Sequence, residues 1–222
     1  MGILSRKKEI IMKAAIFDMD GTLIDSMPYW RKHMREYLGE YNLEATQDDI
    51  ERLINQAGSF KFIFDRIKVF DPKLTWEDMV KNYHGRMQKE YQENIILKPF
   101  ALDYLQKLRS EKIPTCIATA TPRELFSPLI ERLDLEKYFD FFITVPEIGK
   151  RKSEPDIYLY CAKQFDLKVD DCVVFEDTIQ AITTAYNAGF STIGVADEAS
   201  SWAEPLIRQK SSRFITSYEE LL

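Results

Sequence analysis

A set of short apolar runs, each stopping abruptly at polar residues, limits the folds open to this chain. Ala14-Ala15-Ile16-Phe17 has no polar interruption and ends at Asp18-Met19-Asp20-Gly21. A short run without alternation reads as a strand buried on both faces, with a loop at its carboxyl end. Residues 115–119, 141–145, 172–175 and 191–195 repeat the pattern, and 213–216 form a shorter sixth run. Amphipathic stretches lie between them. Phe100, Tyr104, Leu105 and Leu108 mark one helix, and others are expected over 122–132 and 155–165, and from Thr178 to Gly189, where the glycine ends the helix. Strands alternating with helices imply right-handed βαβ units, and so an α/β fold with a doubly wound parallel sheet.

The stretch from Ser26 to Leu97 breaks that rhythm. Trp76, Met79, Val80, Tyr83 and Met87 recur at helical spacing, and Thr75 with Asp78 three residues on has the form of an N-cap. This region is expected to be a bundle of about four helices, inserted after the first strand. The expected division is a core of 13–25 and 98–222, a helical insert of 26–97, and an N-terminal extension of 1–12. With 222 residues, 45% hydrophobic, the chain is large enough for a core domain carrying such an insert.

Composition excludes several roles. The net charge is −6, and no long Lys/Arg run offers a groove to a nucleic acid. The three cysteines, Cys116, Cys161 and Cys172, are odd in number and lack CxxC spacing. They read as reduced core thiols of a cytoplasmic protein. Arg6, Lys7 and Lys8 are not followed by an apolar segment, and Lys13 interrupts the only candidate run, so neither a signal peptide nor a membrane span is expected. Gly2 does not make an acylation signal, because Arg6 stands where Ser or Thr is needed. A monomer is the default expectation.

Sites in parallel sheets lie at the carboxyl ends of strands, near the switch in strand order. Asp18 and Asp20, Thr119, Lys152 (expected just after a strand), and Glu176 with Asp177 all fall there. Two carboxylates one residue apart repel unless a cation holds them, and hard oxygen donors suit Mg²⁺. Gly21 and Thr22 let the chain turn with its amides exposed to an anion. A calcium loop fits poorly, since a strand precedes it and Tyr29 stands where the terminal Glu is needed. Alone, the acidic pair is also compatible with a plain turn. Thr119, leading through Ala120-Thr121-Pro122 into a helix, is either a phosphate cradle or a simple cap. Lys152, beside Lys150 and Arg151, is placed to neutralise transferring oxygens if it points to the rim.

Taken in order, Asp18-Met19-Asp20-Gly21-Thr22, Thr119, Lys152 ahead of Pro155-Asp156-Ile157-Tyr158, and Glu176-Asp177 resemble the four motifs of the haloacid dehalogenase superfamily. The resemblance covers about the whole chain. The insert resembles that family's C1 cap, and within the family the chain looks most like the β-phosphoglucomutase-like phosphatases. It implies that Asp18 is a nucleophile forming an aspartyl-phosphate, and that Asp20 protonates the leaving oxygen and then activates water. It also implies a Mg²⁺ held by Asp18, the Asp20 backbone carbonyl and Asp177, with Glu176 assisting. Phosphoryl oxygens would be held by Thr119, the Ala120 amide and Lys152. The expected substrate is a small phosphorylated metabolite such as a sugar phosphate.

Ser153 replaces the proline usual after the lysine, and Ala181 a glycine common after Glu-Asp. Trp30 stands at the cap hinge, where the mutases have a histidine, which favours hydrolysis over phosphomutase chemistry. The competing readings are a sugar phosphomutase, a phosphonate hydrolase with Lys61 as Schiff base, and a non-enzymatic receiver carrying phospho-Asp18. Specificity is expected in the insert near Gln56, Ser59, Lys61 and Phe62. His33 and His84 are expected to be packing or surface residues.

Overall fold

The computed structural model describes residues 11–46, 50 and 59–222. Gln56 and the first ten residues lie outside that set, and Ser59 is described in its backbone alone.

Six parallel strands form one sheet: β1 (Ala14–Phe17), β2 (Thr115–Thr119), β3 (Phe141–Thr144), β4 (Cys172–Glu176), β5 (Ser191–Val195) and β6 (Arg213–Ile215). Their spatial order is β3-β2-β1-β4-β5-β6. The order therefore reverses between β1 and β4, where a doubly wound sheet opens its crevice. Phe17 pairs with Phe175 across that boundary, so Asp18 and Glu176 are the next residues on adjacent strands.

The strand residues alternate between two cores, as the pleat requires. Ala15 and Phe17 join Tyr104, Phe126, Phe139, Phe175 and Tyr218 on one face. Ala14 and Ile16 join Cys116, Tyr158, Cys161, Cys172 and Val174 on the other. Phe17 and Phe175 stack with centroids 4.3 Å apart. All three cysteines are buried and free.

The insert contributes α1 (Met27–Gly39), α2 (Ser59–Phe70) and α3 (Trp76–Glu93). These are the helices of the bundle among the described residues. Thr75 caps α3 as expected, its Oγ1 accepting from the Asp78 amide at 3.1 Å. Met34, Tyr37, Ile63, Ile67, Met79 and Tyr83 give the insert its own core. α3 spans both bodies: Met79 and Tyr83 belong to the insert's core, whereas Met87 and Tyr91 pack into the core beneath the sheet. The two connections run side by side. The Asp25 amide donates to Ile96 O at 2.9 Å, and the Lys98 amide donates to Leu23 O at 2.9 Å.

The remaining helices cover the sheet: α4 (Ala101–Ser110), α5 (Arg123–Arg132), α6 (Val145–Ile148), α7 (Asp156–Gln164), α8 (Ile179–Asn187) and α9 (Glu204–Lys210). Gly189 follows α8 at φ +97°, as its reading as the terminating residue requires.

The structure corrects the placement of Lys152. The third strand stops at Thr144 rather than Val145, and α6 intervenes. Thr144 and Glu147 form a reciprocal capping box that starts this helix, and Gly149 ends it at φ +72°. Lys152 therefore approaches from the loop ahead of α7, not from a strand end. Its long stem reaches the rim. Among the described residues, no helix is long and apolar enough to cross a membrane.

Candidate active site

β1 and β4 deliver Asp18, Glu176 and Asp177 to one place, with carboxylate oxygens within 4.8 Å of one another. All three are buried. Lys152 lies against two of them: its Nζ donates to Asp18 Oδ1 and, at 2.7 Å, to Glu176 Oε1. Tyr158 on α7 donates to the same Glu176 oxygen at 2.7 Å. Asp177 accepts from Thr22 Oγ1 at 3.0 Å and from Ser200 Oγ at 3.2 Å.

Three carboxylates against one contacting ammonium leave an excess of negative charge. Burial and the neighbouring Glu176 raise the Asp18 carboxyl to about 7, even though Lys152 opposes the shift. Burial and the Asp18 charge push Asp177 well above the carboxylate range. Burial disfavours the Lys152 ammonium, but Asp18 and Glu176 outweigh it and raise its pKa. The site fits a small divalent cation on the chemistry of its donors: three buried carboxylates with clustered hard oxygens, whose mutual repulsion a metal would relieve.

Gly21 makes the cluster sterically feasible. It sits at φ +77°, and a Cβ there would lie 2.7 Å from Asp177 Oδ2. The turn after β1 thus needs glycine both for its left-handed backbone and for clearance.

The Asp20 side chain is not in the cluster. Its Oδ1 accepts from Ser26 Oγ at 2.6 Å, Trp30 Nε1 at 3.3 Å and Tyr91 OH, and its Oδ2 accepts from Thr121 Oγ1 at 2.7 Å. Thr119 is buried at the end of β2, where its Oγ1 accepts from the Thr121 amide at 3.0 Å. Ala120 is exposed in the turn that follows. Lys150 pairs with Glu154 at 2.9 Å and Arg151 is exposed, so Lys152 alone of the basic triplet enters the site.

Lys61 is 65% exposed and paired with Asp65, and Phe62 is also exposed. His33 is buried and bonds to carboxylates of both α1 and α3, 3.1 Å from Glu36 and 2.7 Å from Glu90, so it is a polar link within the insert rather than a packing or surface residue. His84 is half-buried, and burial lowers its pKa.

The family model of the haloacid dehalogenase-like hydrolases matches residues 15–195, a span that holds Asp18, Asp20, Thr119, Lys152, Glu176 and Asp177. The chain belongs to that family. A fructose-1-phosphate phosphatase, YqaB of Escherichia coli, is 32% identical over 183 residues, 81% of this chain and 94% of that protein. A phosphorylated carbohydrates phosphatase of Thermotoga maritima is 28% identical over 184 residues, 82% of this chain and 84% of that protein. The solved structure of an HAD hydrolase, family IA, variant 3, from Entamoeba histolytica has a TM-score of 0.80 at 25% identity. It covers 95% of this chain and 96% of that one. This haloacid dehalogenase-like hydrolase is an enzyme of the phosphatase class.

Sequence reasoning missed the residues that hold the motif carboxylates in place. Tyr158 lies within the Pro155-Asp156-Ile157-Tyr158 stretch, where the motif marks the helix start and not the hydroxyl's partner. Tyr91 and Ser200 carry no motif signal at all. Helical periodicity marks Tyr91 as buried without saying what its hydroxyl meets.

Proposed function

We propose that this hydrolase is a Mg²⁺-dependent phosphatase of small phosphorylated metabolites, in the sugar phosphate class, working through an aspartyl-phosphate on Asp18. The observation that carries the reading is the buried Asp18–Glu176–Asp177 cluster with Lys152 against it. The phosphorylated sugars named in two relatives support the substrate class.

Asp18, Asp177 and the Asp20 carbonyl would hold the cation, with Glu176 supporting. When bound, Mg²⁺ supplies positive charge that offsets repulsion between the substrate phosphate and an anionic nucleophile. Asp18 forms a bond to phosphorus as the ester oxygen departs. Asp20 gives that oxygen a proton, since an alkoxide is a poor leaving group. Asp20 then takes a proton from water, whose oxygen attacks the aspartyl-phosphate, releasing phosphate and restoring the Asp18 carboxylate. Lys152, Thr119 and the Ala120 amide hold the phosphoryl oxygens. The helical insert supplies the remaining walls of the site and limits bulk water.

The test is phosphate release from a panel of fructose 1-phosphate, glucose 6-phosphate, glycerol phosphate and nucleotides, with and without Mg²⁺. Turnover that needs Mg²⁺ and is lost in Asp18→Asn is expected. Undiminished turnover by Asp18→Asn refutes the reading, and sugar-phosphate isomers without net phosphate release would make the enzyme a mutase.

A further inference from the structure

The Asp20 carboxyl is held unequally. Among the described residues, Oδ1 accepts from three donors, Ser26, Trp30 and Tyr91, whereas Oδ2 accepts from Thr121 alone. A carboxylate oxygen has two in-plane lone pairs, so three donors saturate Oδ1. The indole N–H of Trp30 can only donate, and a proton on Oδ1 would face it. The hydroxyls of Ser26, Tyr91 and Thr121 can each turn and accept, so it is the indole that keeps a proton off Oδ1, whereas Oδ2, facing a hydroxyl, can carry one.

Tyr91 is anchored where its hydroxyl meets Oδ1. It is fully buried and packs into the core beneath the sheet, although its helix begins in the insert. Arg132 of α5 donates to the backbone carbonyls of Ile95 and, at 3.4 Å, Tyr91. The indole of Trp30 meets the Tyr91 ring edge-on, with centroids 6.4 Å apart. The hydroxyl is thus fixed relative to β1 rather than to the body of the insert.

We propose that Tyr91 is a positioning residue for the acid–base step: with Ser26 and Trp30 it holds Oδ1 of Asp20, and so fixes the carboxyl in the orientation that presents Oδ2 for proton transfer. In this scheme Oδ2–H transfers its proton to the departing ester oxygen as the P–O bond breaks, and Oδ2 recovers one from the attacking water. The inference rests on the acid–base role proposed for Asp20 above.

The experiment compares kcat/KM, at saturating Mg²⁺, for the best alkyl phosphate of the panel and for 4-nitrophenyl phosphate. The aryl leaving group departs as a stable anion and needs no proton. Tyr91→Phe is expected to lower the alkyl-to-aryl ratio of kcat/KM roughly tenfold, a fraction of what a general acid contributes. In an Asp20→Asn background, Tyr91→Phe should bring no further loss on the alkyl ester, because it acts through Asp20. Equal losses on both substrates would make Tyr91 a packing residue and overturn the inference, as would an unchanged ratio in Tyr91→Phe when Asp20→Asn alone collapses it. An Asp20→Asn enzyme with an undiminished ratio would overturn the acid–base reading itself, and this inference with it.

Discussion

Lys152 Nζ lies 2.7 Å from Glu176 Oε1, and the same ammonium contacts Asp18. One cation from a loop therefore ties together carboxylates borne by the two central strands. Removing one member of a buried ion pair leaves an uncompensated charge and costs about 3–5 kcal/mol. Here the acids can escape part of that cost by taking protons. Lys152→Met is therefore expected to destabilise the metal-free protein more at pH 8 than at pH 5. Mg²⁺ should restore its stability but not its turnover, which falls by about 10²-fold or more for want of a charge on the phosphoryl oxygens. Thermal melts at both pH values, with and without Mg²⁺, together with phosphate release, check this. Equal destabilisation at the two pH values would contradict it.

Metal-free stability should fall as pH rises. The Asp18 carboxyl moves from 3.8 to about 7 on folding, chiefly through burial. A folded-state pKa above the unfolded one gives stability that is complete below about 4 and is lost as pH rises through about 7. Asp177 shifts in the same direction. The carboxylates lowered on folding, Glu90, Glu147 and Glu220, lose their contributions only in acid, outside this window; His84, lowered by burial from 6.5, opposes the fall in the lower part of the window but is a single half-buried group against two buried acids. In EDTA the melting temperature should drop between pH 5 and 8. Mg²⁺ should reverse the drop and displace protons as it binds. Asp18→Asn should flatten the slope, and an equally steep slope in that variant would place its origin elsewhere.

The sheet and the acidic cluster were legible because both follow from local pattern. Four apolar residues ending at Asp18 specify a buried strand, and its register with 172–175 then puts Glu176 beside it. Lys152 reaches the rim from a loop and not from the strand end that the sequence pattern predicts. A continuous apolar run through Val145 hid the capping box of Thr144 and Glu147 that turns the chain into a short helix. The bundle's helices follow from spacing, but the path of α3 from one core into the other depends on tertiary packing. For the same reason Tyr91 was invisible as a partner of Asp20, 71 residues away.

Tyr158 adds a second donor to Glu176 Oε1 at 2.7 Å. Glu176 is 1% exposed, so water cannot replace a lost donor. Tyr158→Phe keeps the ring that packs among Ile16, Cys161 and Val174 and removes only the hydroxyl. A loss of about 1–3 kcal/mol is expected from denaturant melts. The Mg²⁺ concentration for half-maximal turnover should rise, because Glu176 is then steadied by Lys152 alone. Wild-type values for both quantities would show that the hydroxyl is incidental.

Gly21→Ala tests the tightest packing in the site. At φ +77° an alanine pays a left-handed backbone cost of roughly 1–2 kcal/mol. Its Cβ would also meet Asp177 Oδ2 at 2.7 Å, its Cγ at 3.0 Å and Met27 Cγ at 3.1 Å. Thr22 donates to Asp177 Oδ1 and Ser200 to Oδ2, so a shift of the carboxylate away from the new Cβ strains those hydrogen bonds. The variant should therefore lose stability and, separately, need roughly tenfold more Mg²⁺ for half-maximal phosphate release. Gly85→Ala is the control for a glycine replacement as such. Gly85 lies within α3 with nothing inside 4 Å of an added Cβ, so that change should stabilise the protein by about 0.5–1 kcal/mol. If Gly21→Ala loses stability while its Mg²⁺ requirement stays that of the wild type, Asp177 does not hold the cation.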